Sequence, residues 1–529
     1  MERDAQRVNG PVRVVTAAQA AARESAVIAA GTDSFALMRA AGEGTAREIL
    51  RRLPEAVTRG VSVFAGTGNN GGDAWVVAGA LAAAGCPVIV ESLGEPKSAD
   101  AQRARLDAQP ALHTVVARAT SMAALPDTSF PGVVVDGILG TGTSGEASGD
   151  AAAAITRVNA LAARGVSVVA LDVPSGMDAT TGAGGAVVKA QFTFTYGTLK
   201  RGLLQRRDES GAIAVLDIGL AASPADDTTP ILIDAPWVRK AIPPIPSDAH
   251  KGVRRRLAII GGGDGMAGAP MLAARGAMRS GIGMVELLVN PQNVPVVQAA
   301  LPETMAARWP VTGDDQERVL DWAHVLLLGP GLGRTAMTRA LVERLLVAFR
   351  GPVLLDADAL NVFEGEPRSL GTLLGSRPAI VTPHPIEAAR LLRLDPQVVL
   401  ERRFEVGAEL AKTLGATVVL KGPPTIISAP DGRVAISASG APTLGTAGSG
   451  DVLAGIIATL LGQTLDPFAA GTSGAWIHGR AGERAAELGS VRGSSLQDVI
   501  DALRDVWSLD DRVPDAPVIT ELPATGRQR

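Results

Sequence analysis

The chain is 529 residues long, which exceeds one ordinary hydrophobic core and predicts two or more domains. Hydrophobic residues at 46% and charged residues at 20% suit globular domains and exclude wholesale disorder. A net charge of −4 with 3% aromatics excludes a broad basic field or base-stacking platform for nucleic acid, and the one cysteine, Cys86, excludes an internal disulfide. The first residues, Met1-Glu-Arg-Asp-Ala-Gln-Arg7, hold no apolar signal core, and no apolar run has membrane-spanning length. A cytoplasmic protein with no membrane and no nucleic-acid partner is expected.

Residues 17–52 are Ala-rich with helical spacing. A short strand, Val61-Ser-Val-Phe64, leads into the glycine loop Ala65-Gly-Thr-Gly-Asn-Asn-Gly-Gly-Asp73 and a helix from Ala74 to Ala84. Further strands are Pro87-Val-Ile-Val90, Gly132-Val-Val-Val135 and Val166-Ser-Val-Val-Ala-Leu171. Their continuous apolar character predicts a parallel sheet covered on both faces, with ligands at the carboxyl ends of the strands. Polar loops fall there: 69–73, 136–146 and 172–176. A β-rich part runs from Phe192 to Gly219, and a Pro-rich stretch without periodicity follows, read as a linker over 226–240.

A second α/β pattern then begins. Expected strands are Arg256–Ile260, Met284–Val289, Val325–Leu328, Val353–Leu355, Ala379–Val381 and Thr417–Leu420, with a helix over Ala269–Ser280. The stretch Leu444-Gly-Thr-Ala-Gly-Ser-Gly-Asp451 runs into an apolar helix. Glycines there bare the unpaired N–H groups of a helix N-terminus, which suits an anion. Asp451 beside it could take a proton from a hydroxyl attacking phosphorus, or simply cap the helix. The tail over 511–529 is expected to be flexible.

Both halves also carry G-x-G-x-x-G after a strand: Gly66, Gly68 and Gly71, and Gly263, Gly265 and Gly268, with Glu91 and Glu286 near the next strand ends. Read literally, this is a double dinucleotide-binding dehydrogenase, but the pattern is loose. In the first half Asn70, Asp136 and Ser175 are oxygen donors of low total charge, which suits an alkali or alkaline-earth cation. Asp172 is a candidate acid or base, with turn formation as the alternative. In the second half Lys421-Gly-Pro-Pro-Thr425 follows a strand and could hold nucleotide phosphates. No P-loop occurs, and His250, His324 and His478 have no zinc-ligand spacing.

The motifs Gly66-Thr-Gly-Asn-Asn-Gly-Gly-Asp73, Val134-Val-Asp-Gly-Ile-Leu-Gly-Thr-Gly142 and Leu171-Asp-Val-Pro-Ser-Gly176 make residues 1–225 resemble the NAD(P)H-hydrate epimerase domain. Residues 241–510 resemble the ribokinase-like ADP/ATP-dependent NAD(P)H-hydrate dehydratase. The motifs are His250-Lys-Gly252, Gly329-Pro-Gly-Leu-Gly333, Asp356-Ala-Asp-Ala-Leu-Asn361, Thr382-Pro-His384, Lys421-Gly422 and Gly448-Ser-Gly-Asp451. The resemblance implies an α/β fold of two domains, a Rossmann-like α/β/α epimerase domain and a ribokinase-like α/β/α domain. It implies that Asn69, Asn70, Gly71, Gly72, Asp73, Gly140, Thr141, Gly142, Thr143, Ser144, Gly145, Glu146 and Asp172 contact the hydrate in the first domain, with Asp172 handling protons. Asn70, Asp136 and Ser175 would hold potassium. Lys200 lies in a segment that also looks family-like.

In the second domain Ala269, Gly333, His384, Pro385, Ile386, Glu387, Ala388, Ala389, Arg390 and Asp451 would face the hydrate. Lys421, Gly422, Pro423, Pro424, Thr425, Ala441, Pro442, Thr443, Leu444, Gly445, Thr446, Ala447, Gly448, Ser449 and Gly450 would hold ADP or ATP with magnesium, and Asp451 would be catalytic. The expected substrates are NADHX and NADPHX, with the adenine nucleotide as co-substrate and a homo-oligomer as the assembly. The alternative is a ribokinase-like kinase with a non-catalytic N-terminal binding module.

Overall fold

Alternation along each strand sends neighbouring side chains to opposite faces of a sheet, and both faces here are apolar. In the strand Val61–Ala65, Val63 packs with Trp75, Leu81 and Ile49, whereas Phe64 packs with Ile155 and Val158. In Arg256–Ile260, Leu257 and Ile259 join Ala273, Ile457 and Ile477, whereas Ala258 and Ile260 join Leu341, Leu345 and Leu410. Each sheet is therefore sandwiched between two helical layers, the α/β/α architecture expected. The computed structural model describes residues 11–112, 114–117, 131–143, 145–220, 228–309, 312–510 and 514–524. Residues 11–220 with 514–524 cluster as one compact unit, and 228–510 as the other.

The first unit holds an eight-stranded sheet in the order Val518–Leu522, Ala212–Leu216, Phe192–Tyr196, Ser167–Leu171, Val133–Gly137, Val61–Ala65, Val88–Ser92, Thr114–Ala117. Only the Val518–Leu522 pairing is antiparallel. The chain builds outward in one direction from Val61–Ala65 and in the other from Val133–Gly137, so a crevice opens between these two carboxyl ends. A separate two-stranded sheet pairs Val14–Val15 with Leu199–Lys200.

The second unit holds a ten-stranded sheet: Ile231–Leu232, Val434–Ser437, Thr425–Ser428, Thr417–Leu420, Ala379–Val381, Val353–Leu355, Val325–Leu328, Arg256–Ile260, Met284–Val289, Met305–Arg308. Two close glycine contacts set the helix that carries Asp451. A Cβ on Gly455 would stand 1.9 Å from Ala273 O, and one on Gly276 would stand 2.4 Å from Val452 O. The helices Gly268–Arg279 and Ser449–Thr464 therefore touch backbone to backbone. No helix among the described residues is long and apolar enough to cross a membrane.

Three expectations are corrected. Residues 231–240, read as part of a linker, belong to the second unit. Ile231–Leu232 pair with Val434–Ser437, and the Ala235–Ala241 helix, capped by Asp234, buries Val238. Residues 518–522, read as part of a flexible tail, add a strand to the first unit's edge at Ala212–Leu216, and Glu521 pairs with Arg52 at 2.6 Å. Both segments are short and gain their partners from distant sequence, so local composition carried no signal. The helix expected from Ala74 starts at Asn69, because Gly71 and Gly72 are there for packing: a Cβ on Gly71 would meet Gly66 O at 2.0 Å. Thr425–Ser428 and Val434–Ser437 add two antiparallel strands where no element was expected.

Candidate active sites

In the first unit the crevice is lined by an oxygen-rich cluster. Asp136, next to last in the strand Val133–Gly137, is fully buried; its carboxylate accepts hydrogen bonds from Ile138 N (3.2 Å), Ser175 Oγ (2.6 Å) and Ser175 N (2.8 Å). Burial nonetheless pushes its pKa up to about 6. Asn70 donates through Nδ2 to Leu139 O at 2.8 Å, and its buried Oδ1 has no hydrogen-bond partner among the described residues. Gly140 stands beside that oxygen; a Cβ there would come within 3.0 Å of the Asn70 Cβ.

A second group sits one strand away. Asp172 leaves the strand Ser167–Leu171 with φ 61°, a conformation that costs a residue with a Cβ. Its Oδ1 accepts from Lys200 Nζ at 2.5 Å and Thr195 Oγ1 at 3.1 Å. Burial, then the charge of Asp172, pushes the Asp73 carboxyl well above its usual range, and the same two causes raise Glu24. Asn69, Asn70, Gly71, Gly72 and Asp73 thus form one helical turn within electrostatic reach of Asp172. Gly140, Thr141, Gly142 and Thr143 form the loop after Asp136, and Glu146 lies against Gly185. Ser144 lies outside the described residues.

In the second unit Gly448, at φ 90°, is the N-cap of the Ser449–Thr464 helix, and no side chain caps it. Asp451 sits in the first turn and is not the cap, so the capping alternative falls. Lys421 ends the strand Thr417–Leu420; its Nζ donates to Asp356 Oδ1 at 2.8 Å and lies 3.8 Å from Glu387 Oε2. A Cβ on Gly450 would stand 3.5 Å from that Nζ, so the ammonium faces the helix N-terminus. Burial opposes the Lys421 charge, but Asp356, Glu387 and Asp451 outweigh it and raise its pKa. Burial first, then Asp356, raises Asp451 to about 7.

His384 caps the Pro385–Leu392 helix: its Nδ1 accepts from Ile386 N at 3.1 Å, and its own N–H donates to Glu387 Oε2 at 2.8 Å. Burial, then Lys421, lowers His384 to about 4, so the ring is neutral. Gly333 N donates to Asp358 Oδ2 at 2.9 Å, and Arg390 donates to Asn361 Oδ1 at 3.0 Å. Ala269 lies beside Gly331, and Ile386 is exposed. Ala388 and Ala389 point into the core, which leaves them only backbone to offer. In the Lys421–Thr425 loop, Arg403 donates to Pro423 O (3.1 Å) and Pro424 O (2.8 Å). Ala441–Leu444 turn through a short helix whose Thr443 is tied to Gly482 O at 3.0 Å, and Thr446 Oγ1 donates to Thr443 O at 3.2 Å.

Glu91 and Glu286, the acids of the dinucleotide pattern, are spent on Arg157 (2.5 Å) and Arg318 (2.8 Å). Sequence reasoning missed the roles of Thr195, Asp356 and Glu24, and of His478, which is buried, lowered to about 4 by burial and then Lys421, and bonded to Ser449 Oγ at 3.2 Å. A polar residue directly after a strand was the available signal for Asp356, and one within the strand Phe192–Tyr196 for Thr195; none existed for Glu24. Among the described residues no group of three or more His, Cys, Asp or Glu could hold a metal.

One unit pairs a lone lysine with a helix N-terminus and a carboxylate titrating near neutrality. The other gathers carboxylates and one ammonium at a sheet crevice. Together they define a two-centre α/β enzyme of small phosphate-bearing molecules. A family model described as NAD(P)H-hydrate dehydratase matches residues 257–504, and one described as YjeF-related protein N-terminus matches 34–202. The bifunctional NAD(P)H-hydrate repair enzyme of Moorella thermoacetica is 36% identical over 497 residues, covering 89% of this chain and 92% of that protein. Its Escherichia coli counterpart is 34% identical, covering 90% of each. The crystal structure of a Bacillus subtilis ADP/ATP-dependent NAD(P)H-hydrate dehydratase covers 52% of this chain and 96% of its own at 29% identity and TM-score 0.45. The chain belongs to the family of bifunctional NAD(P)H-hydrate repair enzymes.

Proposed function

We propose that this enzyme repairs hydrated nicotinamide dinucleotides. The first unit interconverts R- and S-NAD(P)HX, an isomerase activity, and the second dehydrates the S epimer to NAD(P)H at the expense of ADP or ATP, a lyase activity. The observation that carries it is the second site: Asp451 and Lys421 converge on the glycine-flanked first turn of one helix. Hydroxide leaves poorly and phosphate leaves well. Asp451 takes the proton of the ring hydroxyl as its oxygen attacks the terminal phosphorus of the nucleotide, and the bridging P–O bond breaks with its electron pair leaving on the shortened nucleotide, ADP from ATP or AMP from ADP. Lys421 and the amides around Gly448–Gly450 hold the negative charge of the transferred group. The ring C–O bond then breaks, phosphate departs with the electron pair, and loss of a neighbouring ring proton restores the double bond. The alternative of a kinase with a non-catalytic module is not favoured, because the family covers both units.

In the first unit Asp172 handles the proton at the hydrated carbon. Residues 69–73 and 140–146 hold the hydrate, with the nucleotide kept by 421–425 and 441–450 in the second unit. Ala269, Gly333, 384–390 and Asp451 face the hydrate there. Potassium fits Asn70, Asp136 and Ser175: the orphaned Asn70 Oδ1 and the buried Asp136 carboxylate both lack the positive charge a weakly solvated cation supplies. Magnesium fits the second unit as a nucleotide-borne ion, since magnesium keeps waters and phosphates and needs no all-protein cage. It would neutralise phosphate charge beside Asp356 and Glu387. The enzyme is read as cytoplasmic and homo-oligomeric.

The test is incubation with mixed hydrate epimers, with and without ATP or ADP. Nicotinamide absorbance should recover fully, with one phosphate released per molecule and only when nucleotide is present. Recovery without phosphate release, or arrest at a stable phosphate ester, would overturn the proposal.

A further inference from the structure

We infer that Lys200, with Thr195, is the positioning residue that holds the Asp172 side chain aimed at the hydrate in the first unit; this rests on the epimerase reading above. Lys200 is 3% exposed, too deep to meet a ligand itself. Its ammonium has three protons, and the structure offers acceptors for all of them: Asp172 Oδ1 at 2.5 Å, Thr195 Oγ1 at 3.1 Å and Tyr196 O at 3.3 Å. No donor is left over for substrate, so Lys200 acts through Asp172.

Thr195 completes the clamp, accepting from Lys200 and donating to the same Oδ1 at 3.1 Å. Asp172 Oδ2 has no hydrogen-bond partner among the described residues, and the Asp172 side chain keeps 12% exposure against 4% for Lys200. One oxygen is therefore anchored inward and the other is presented outward. The backbone is fixed as well. Asp172 N donates to Phe194 O at 2.7 Å in the left-handed conformation, and the Leu199–Lys200 strand is paired to Val14–Val15. A strained φ persists when its surroundings over-determine it.

The other groups facing Asp172 are Glu24 on the Ala17–Ala29 helix, Asp73 on the Asn69–Ala83 helix and Tyr196 on the adjacent strand. None of them is a cation. Lys200 is thus the cation that Asp172 is bonded to amid other acids, and its loss should free the Asp172 side chain to turn away from the hydrate.

The experiment compares Lys200→Met, Lys200→Arg and Thr195→Val in the full chain. R-to-S conversion is followed for kcat and KM separately, and dehydration of pure S epimer serves as a control on the other unit. Lys200→Met should lower epimerisation kcat about 10- to 100-fold with KM changed by less than about threefold. Lys200→Arg should recover part of the lost kcat, and S-epimer dehydration should stay unchanged. If thermal unfolding shows that Lys200→Met does not fold, Thr195→Val carries the test, with a smaller loss of kcat and the same unmoved KM. An unchanged kcat, a loss confined to KM, or an arginine variant no better than methionine, would overturn the inference. Failure of the unmodified chain to epimerise would instead overturn the epimerase reading, and the inference with it.

Discussion

In the proposed dehydration Asp451 carries the heaviest chemical demand on any one side chain. Burial and the charge of Asp356 raise its carboxyl to about 7, which suits a base proposed to work at neutral pH. Below that value the carboxyl is protonated and cannot accept the hydroxyl proton, so dehydratase kcat/KM should fall about tenfold per pH unit on the acid side. Asp451→Asn should lose roughly 100- to 10,000-fold in turnover yet still bind ATP by calorimetry; substantial remaining activity would remove it from the mechanism. The same shift has a stability consequence. A carboxyl raised from 3.8 to about 7 in the folded state favours folding only at low pH, and that contribution is lost as pH rises through 7. Asp451→Asn should therefore raise the Tm at pH 8 and leave it unchanged at pH 4. A Tm difference that is equal at both pH values would contradict the shift.

Potassium is also a residue-scale matter. Saturating potassium at about 100 times its Kd should stabilise the first unit by about 2.7 kcal/mol over choline, and Asn70→Ala should abolish the difference in thermal unfolding. The motif residues were readable in the chain because chemistry of this kind needs glycines, carboxylates and hydroxyls at close spacing. Their partners were not. Lys421 finds Asp356 from 65 positions away and Asp172 finds Lys200 from 28, so their pairing exists only once the sheet has formed.

At the scale of elements, strands such as Val325–Leu328 and Thr417–Leu420 were legible because burial on both faces leaves an unbroken apolar run. The edge strand Val518–Leu522 was not, since its Thr520 and Glu521 stand side by side and leave neither an apolar run nor an alternation to read. Its role is nonetheless definite. It covers the edge of Ala212–Leu216 and ties down Arg52, which also bonds Glu48 at 2.8 Å. A chain ending at residue 510 should unfold its first unit at a lower temperature and aggregate more readily, because a bare edge invites pairing with other chains, while S-epimer dehydration is retained. Equal thermal stability of the two units with and without residues 511–529 would contradict that role.

At the scale of the whole molecule, two units with separate cores carry two separable reactions in one chain. The most direct measurement supplies pure R epimer with ATP and follows nicotinamide absorbance. The unmodified enzyme should convert all of it, Asp172→Ala should convert S epimer at the normal rate and leave R untouched, and Asp451→Asn should equilibrate the epimers while restoring absorbance at least about 100-fold more slowly. Restoration from R epimer by Asp172→Ala at the unmodified rate, or ATP-driven restoration by Asp451→Asn near that rate, would contradict the assignment of one reaction to each unit.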